Sequence, residues 1–342
     1  MRAGGVLSDP EEIASLKIKE PAEPPFIPDS AAGWNRTIDR IAAGLIKTCA
    51  WVAIVSLVLI FIFIGKNALP IFTSSEVRKE ASVGKMFLPQ TRSGGGSEYT
   101  WNPTSEPPEF SLIPLLVGTL KVTLIALVVA IPIAVTAALF TSEFAPPWMR
   151  EIIKPAIELL AGIPSVVVGF FCLMVLATWL QNLFGWHYRL NAFSAGLGLG
   201  LAVIPIVYTM SEDAFVAVPR TYREGSIAMG ASAWQTAWRV VLPAASPGLL
   251  AACVLGFGRA IGETMIVWMA SGNSAVLSLS PVESIRTFAA TIAAELGEAV
   301  GNSSHHVVLF FIGAFLFTLT FAINLAGHWF IARLQKKLQG AV

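Results

Sequence analysis

Arg259 and Glu263 stand four residues apart inside a long apolar run, Gly258-Arg259-Ala260-Ile261-Gly262-Glu263-Thr264-Met265. Two ionisable groups in such a run are costly, and by default they mark a transport pathway or a paired site. The guanidinium offers a planar fork of N–H donors that suits the oxygens of a tetrahedral oxyanion, and Thr264 adds a hydroxyl. If Ser246 is the N-cap and Pro247 the first residue of a helix, Arg259 lies about 18 Å along its axis, with Glu263 on the same face. Mutual neutralisation inside a bundle and passage of an anion both fit that spacing. A nearby carboxylate tempers the arginine's grip, which a path that must release its solute requires. Glu158 with Pro164 and Ser165 forms a second candidate, readable also as a kinked helix whose carboxyl is satisfied.

Other chemistries lack their residues. No G-x-x-x-x-G-K-[ST] run supplies a nucleotide cradle, and none of His187, His305, His306 and His328 sits in an H-E-x-x-H. Those histidines fall at expected loops or helix ends, and His305 and His306 read as solvated. Cys49, Cys172 and Cys253 each sit in an apolar run without a C-x-x-C, so they read as buried small hydrophobes rather than a disulfide framework or metal site. The absence of a nucleophile elbow or of paired carboxylates with an orienting partner argues against a membrane-embedded enzyme. A net charge of +1, from 23 basic and 22 acidic residues, gives no basic face for nucleic acid.

What must position Arg259 and Glu263 is a membrane bundle. Of the 342 residues 55% are hydrophobic and 13% charged, and mean hydropathy is +0.68; soluble domains carry roughly twice that charge. Six stretches reach the roughly 20 residues a span needs: Leu45 to Ile64, Leu112 to Phe140, Pro155 to Leu180, Phe193 to Met210, Pro247 to Ala270, and Val307 to Phe330. The expected organisation is a polar, disordered tail over 1–40, rich in proline (Pro21, Pro24, Pro25, Pro28), and a first transmembrane helix over 41–66. An outer loop over 67–111, a core of five further spans over 112–335 and a short tail over 336–342 complete it.

Basic residues set the orientation. Arg36, Arg40 and Lys47, then Arg150 and Lys154, then Arg220, Arg223 and Arg239, then Arg333, Lys336 and Lys337 all fall on one side, which the positive-inside tendency makes cytoplasmic. Both termini are therefore expected inside. The outer loop is charge-balanced, contains the flexible Ser93-Gly94-Gly95-Gly96-Ser97 linker, and carries Tyr99, Trp101 and Pro103 as expected interfacial anchors. Lys121 is expected to snorkel at the outer interface.

Between the fourth and fifth spans, residues 216–245 form an inward-facing loop. Thr221 with Glu224, and Ser232 with Gln235, have capping-box spacing, so two short helices are expected, hinged at Gly230. Ile227, Met229, Trp234, Trp238 and Val241 would supply its apolar surface. A hairpin of this size is marginal in water and must pack on something.

The spacing Glu224, Gly230, Leu242-Pro243 resembles the EAA loop of ABC importer permeases, with Gly225-Ser226 standing for its two alanines and Val240 for its usual isoleucine. The resemblance implies an all-α membrane protein of the type I permease fold: six transmembrane helices with a cytoplasmic coupling loop. It implies that Arg223, Glu224, Gly225, Ser226, Met229, Gly230, Leu242 and Pro243 engage a separate ATPase, which would bind the ATP and Mg while this chain holds no cofactor. The runs Glu158 to Gly169, Ile204-Pro205 to Asp213 and Gly258 to Met265 look like the membrane subunits of the phosphate importer family. Trp101-Asn102-Pro103 and Arg286-Thr287-Phe288 look more like the PstC type than the PstA type. That implies a phosphate pathway past Arg259, Glu263, Thr264, Glu158 and Ser165, a PstA-like second permease, a dimeric PstB-like ATPase and a PstS-like receptor in a bacterial inner membrane. Chemistry alone leaves sulfate or molybdate open as the solute, since one arginine does not tell tetrahedral anions apart.

Overall fold

The computed structural model describes residues 29–91 and 97–339. Most of the expected tail and the Gly/Ser linker lie outside the described residues. Fourteen helices are described: α1 Asp29–Ala68, α2 Pro70–Thr73, α3 Ser75–Glu80, α4 Val83–Phe87, α5 Ile113–Glu143, α6 Pro147–Ala161, α7 Ser165–Phe184, α8 Ala192–Val216, α9 Arg220–Ala228, α10 Ala233–Ala244, α11 Ser246–Ile261, α12 Met265–Ala270, α13 Phe288–Glu295 and α14 Ser304–Gln339. Two short hairpins, β1 Gln90–Thr91 with β2 Ser97–Glu98 and β3 Trp101–Asn102 with β4 Glu109–Phe110, lie before α5.

The chain divides at Ile60 into two compact units. In the first, helix begins at Asp29, so residues 29–40, expected as tail, continue the first span's helix instead. Nothing there breaks it: no proline follows Pro28 until Pro70. Side chains from Ile38 to Ile60 are all exposed, Cys49 among them, which corrects its reading as a buried hydrophobe. An apolar surface of that extent requires lipid or another subunit.

In the second unit, α5 and α8 pack along much of their length, with α11 beside both and α14 against α11. Small side chains make the approach possible: Ala126, Ala130 and Ala134 of α5 and Ala195 of α8 are fully buried. A second apolar core sits at the other end of α5, where Ile71, Val77, Met86, Trp101, Phe110, Leu112 and Leu115 pack with Phe288, Val307 and Ile312. The outer loop is thus a folded cap with its own core.

Two expected spans are broken. The third begins at Ser165, because Gly162-Ile163-Pro164 separates α6 from α7 and Pro164 adopts an extended ψ of 135°. Helix α6 has an amphipathic sequence and no buried residue. The fifth, expected to run unbroken from Pro247 to Ala270, stops at Ile261 and restarts at Met265. Its entry also differs: Ala245, not Ser246, is the N-cap, and α10 and α11 meet there at 67°. Among the described residues, five helices are long and apolar enough to span, or six if this bent pair serves as one.

Candidate functional site

The two helix breaks lie side by side. Helix α12 packs along the start of α7, close enough that a Cβ on Gly169 would sit 3.1 Å from the Met265 carbonyl oxygen and 3.2 Å from Ile266 Cα. This contact brings Ser165, the first residue of α7, to the α11–α12 break. Ser165, Gly258, Arg259, Gly262, Glu263, Thr264 and Met265 line one open concavity of about 480 Å³.

Four of the five expected pathway residues therefore converge from two helix breaks. Glu158 does not; it is exposed on α6, outside this lining. Since α11 ends at Ile261, Glu263 lies in the break rather than one helical turn beyond Arg259. Arg259 is exposed in the concavity, while Glu263 is 8% exposed. Among the described residues no ion pair joins them and neither side chain has a hydrogen-bond partner, so mutual neutralisation is not what the site does.

The backbone adds donors. Val167 and Val168 N–H donate to the Pro164 carbonyl, at 2.9 and 3.3 Å, whereas the N–H groups of Ser165 and Val166, at the N-terminus of a 20-residue span, have no backbone acceptor among the described residues. A helix N-terminus carries partial positive charge. Thr264 donates to the Gly262 carbonyl at 3.3 Å. Asn324 of α14 approaches the lining, since a Cβ on Gly258 would lie 3.1 Å from its Oδ1. The sequence reading passed over this residue, although an amide inside an apolar run is itself a signal.

The loop over 216–245 has the expected two-helix form. Gly230 turns the chain with φ +87° between α9 and α10, and Ser232 and Gln235 form the reciprocal capping box. The Thr221–Glu224 box does not form: the N-cap of α9 is Pro219, two residues before Thr221, which leaves Thr221 inside the helix. Met229 is 88% exposed and stands with Ile227, Trp234 and Trp238, whose indoles stack at 5.9 Å. Glu224, Gly225 and Pro243 are exposed and Leu242 is half-buried.

Three loop residues face inward instead. Val241 is fully buried. Ser226 bonds the Thr236 hydroxyl at 3.0 Å in a buried contact. Arg223 grips Glu143, at the end of α5, at 2.7 and 3.0 Å and also donates to the carbonyls of Val218 (2.6 Å) and Phe215 (2.8 Å). It ties the loop to the bundle. Nearby, Lys154 of α6 donates to Glu212 at 2.6 Å and Asp213 at 3.0 Å, and the Glu212 hydrogen bond holds it well above the usual lysine range.

At the other end of α5, Trp101 is 8% exposed and its indole N–H donates to both oxygens of Glu295 at 3.1 Å, so it is no interfacial anchor. Arg286 donates to the same carboxylate and, through Nε, to Asn273. His305 lies 2.9 Å from it by Nε2, in the first turn of α14, and is not a solvated loop residue. Burial alone would raise the Glu295 pKa, but the His305 hydrogen bond, the Arg286 charge and the Trp101 N–H outweigh it and hold it below the usual value. Lys121 donates to the Ser280 carbonyl at 2.9 Å, a fixed contact rather than a free snorkelling end.

Comparison with known proteins settles the kinship. Residues 130–340, which contain the concavity and the loop, match the family described as binding-protein-dependent transport system inner membrane component. The chain belongs to that family. Among its relatives, the probable ABC transporter permease protein YqgH of Bacillus subtilis (strain 168) is 33% identical over 300 residues, covering 87% of this chain and 93% of the relative. Phosphate transport system permease protein PstC of Xylella fastidiosa (strain 9a5c) is 34% identical over 256 residues, covering 69% and 78%. Phosphate transport system permease protein PstC 1 of Mycobacterium tuberculosis (strain ATCC 25618 / H37Rv) is 37% identical over 251 residues, covering 66% and 74%. As an inner membrane component of this family, the chain is an ABC-type membrane permease with a helical, bundle-forming core.

Proposed function

We propose that this chain is the PstC-type permease subunit of an ATP-driven importer of inorganic phosphate, set in a bacterial inner membrane with both termini cytoplasmic. It carries no catalytic step itself. A PstA-like permease completes the pore, a PstB-like ATPase dimer binds ATP and Mg, and a PstS-like receptor delivers the solute from outside. One observation carries the choice of an anion: an arginine with no partner among the described residues lines a concavity together with Ser165, at a helix N-terminus, and Thr264. The relatives named for phosphate transport support the choice of phosphate.

The exposed Met229, Ile227, Trp234 and Trp238 surface, with Glu224, Gly225, Gly230, Leu242 and Pro243, is the docking face for the ATPase. Behind it, Ser226 ties α9 to α10 through Thr236, and Arg223 transmits movement of the loop to α5 and α8. The test is ATP-dependent uptake of labelled phosphate into vesicles holding the reconstituted complex, with sulfate as competitor. Uptake that excess sulfate leaves unchanged is the expected result; uptake of sulfate or molybdate in place of phosphate overturns the substrate, and uptake without ATP overturns the coupling.

A further inference from the structure

An anion path has an evident use for Arg259 and none for a bare carboxylate, yet Glu263 stands in the same lining, 8% exposed and with no hydrogen-bond or ionic partner among the described residues. Among the described residues, three comparably buried glutamates are each held by a cation: Glu143 by Arg223, Glu212 by Lys154, Glu295 by Arg286. The carboxylate oxygens of Glu263 are not among the buried, unpartnered side-chain atoms of the described residues; they open onto the concavity, where Glu263 is placed to accept from a donor that arrives with the solute. Tetrahedral oxyanions differ in whether they bring one. At neutral pH inorganic phosphate and arsenate retain at least one acidic O–H, whereas sulfate and molybdate retain none and offer lone pairs only.

We infer that Glu263 is the specificity-determining residue of the concavity, accepting a hydrogen bond from the P–OH of a protonated oxyanion and repelling oxyanions that carry no proton. The inference rests on the anion pathway proposed above and assigns its selectivity to one side chain. Arg259 and the Ser165 and Thr264 hydroxyls bind any tetrahedral oxyanion through its unprotonated oxygens. Glu263 alone in this lining is acceptor-only when ionised. A site that hydrogen-bonds a substrate O–H rejects analogues lacking it far more strongly than it rejects a difference in size. Selection is thus by protonation, and arsenate sorts with phosphate while molybdate sorts with sulfate.

The receptor's own selectivity is bypassed by probing the permease directly. In the assembled complex without receptor, with Cys49→Ser and Cys253→Ser, Met265→Cys places a thiol in the lining, and its rate of maleimide modification reports occupancy. At constant ionic strength and neutral pH, phosphate and arsenate are expected to give half-protection at concentrations about 100-fold below sulfate and molybdate. In Glu263→Gln, whose amide both donates and accepts, the ratio is expected to fall below about fivefold. Glu263→Asp, which keeps the acceptor, retains most of it and guards against a loss caused by misfolding. Equal protection by all four anions in the Glu263 protein, or undiminished discrimination in Glu263→Gln, overturns the selector while leaving the pathway standing. Protection by none of them in either background overturns the anion pathway, and the selector with it.

Discussion

Arg286 and Arg259 both have a glutamate within reach along the chain, Glu295 and Glu263, and the two constellations are built on opposite rules. Around Glu295 every polar group is spoken for: Arg286, His305 and both contacts of the Trp101 indole close on one carboxylate. Around Glu263 nothing closes, although it is buried and Arg259 lines the same concavity. The first arrangement joins the cap, α13 and α14 through one shared carboxylate. The second holds its groups apart because the helix that would have paired them ends at Ile261. Paired charge here joins parts of the fold, and unpaired charge is what the proposed path consists of.

The contrast breaks most sharply at Arg259. Arg259→Ala is expected to lower phosphate uptake by about 1,000-fold, the loss of a charge-assisted bidentate contact, while the amount of assembled complex in the membrane stays the same. Normal uptake would erase the distinction. Arg286→Ala should act the other way, leaving Glu295 uncompensated and destabilising the cap by about 2–4 kcal/mol. Limited proteolysis of the outer loop is then faster, while uptake per folded complex changes less than about threefold. Equal loss of transport in both variants would show that the cap, too, lies on the path.

Smaller effects sharpen the same line. Gly230→Ala forces a side chain into φ +87° and is expected to cost about 1–2 kcal/mol locally; ATP hydrolysis then proceeds with reduced uptake, measured as the ratio of phosphate moved to ATP consumed. Acid should test the clasp alone. Because Glu295 has a depressed pKa in the folded protein, its contribution is present above the unfolded value of about 4.3 and is lost as pH falls through the folded one. Cap proteolysis should therefore accelerate below about pH 4 in the native chain and show no such step in Glu295→Gln.

Much of the concavity's lining was legible because rarity of charge in lipid is a strong local signal: Arg259, Glu263 and Thr264 stand in an apolar run, and Ser165 follows Pro164. The break between Arg259 and Glu263 was not, since hydropathy runs on through Gly262 and only packing of α12 against Gly169 fixes the new direction. The clasp was invisible for another reason. Trp101 and Glu295 lie 194 residues apart, and the rule that places aromatics at a membrane interface is local and pointed elsewhere. The loop's Gly230 turn and Ser232 cap followed from short-range rules, while the inward duty of Arg223 depended on Glu143, 80 residues away.

Neither piece of the interrupted span can cross lipid by itself. Ser246–Ile261 has 16 residues and Met265–Ala270 has 6, lengths of about 24 Å and 9 Å at 1.5 Å per residue, against a hydrocarbon thickness of about 30 Å. The shorter piece therefore depends on a protein neighbour, α7, against which it packs, and because α7 comes earlier in the sequence that surface is already synthesised when Met265–Ala270 leaves the ribosome.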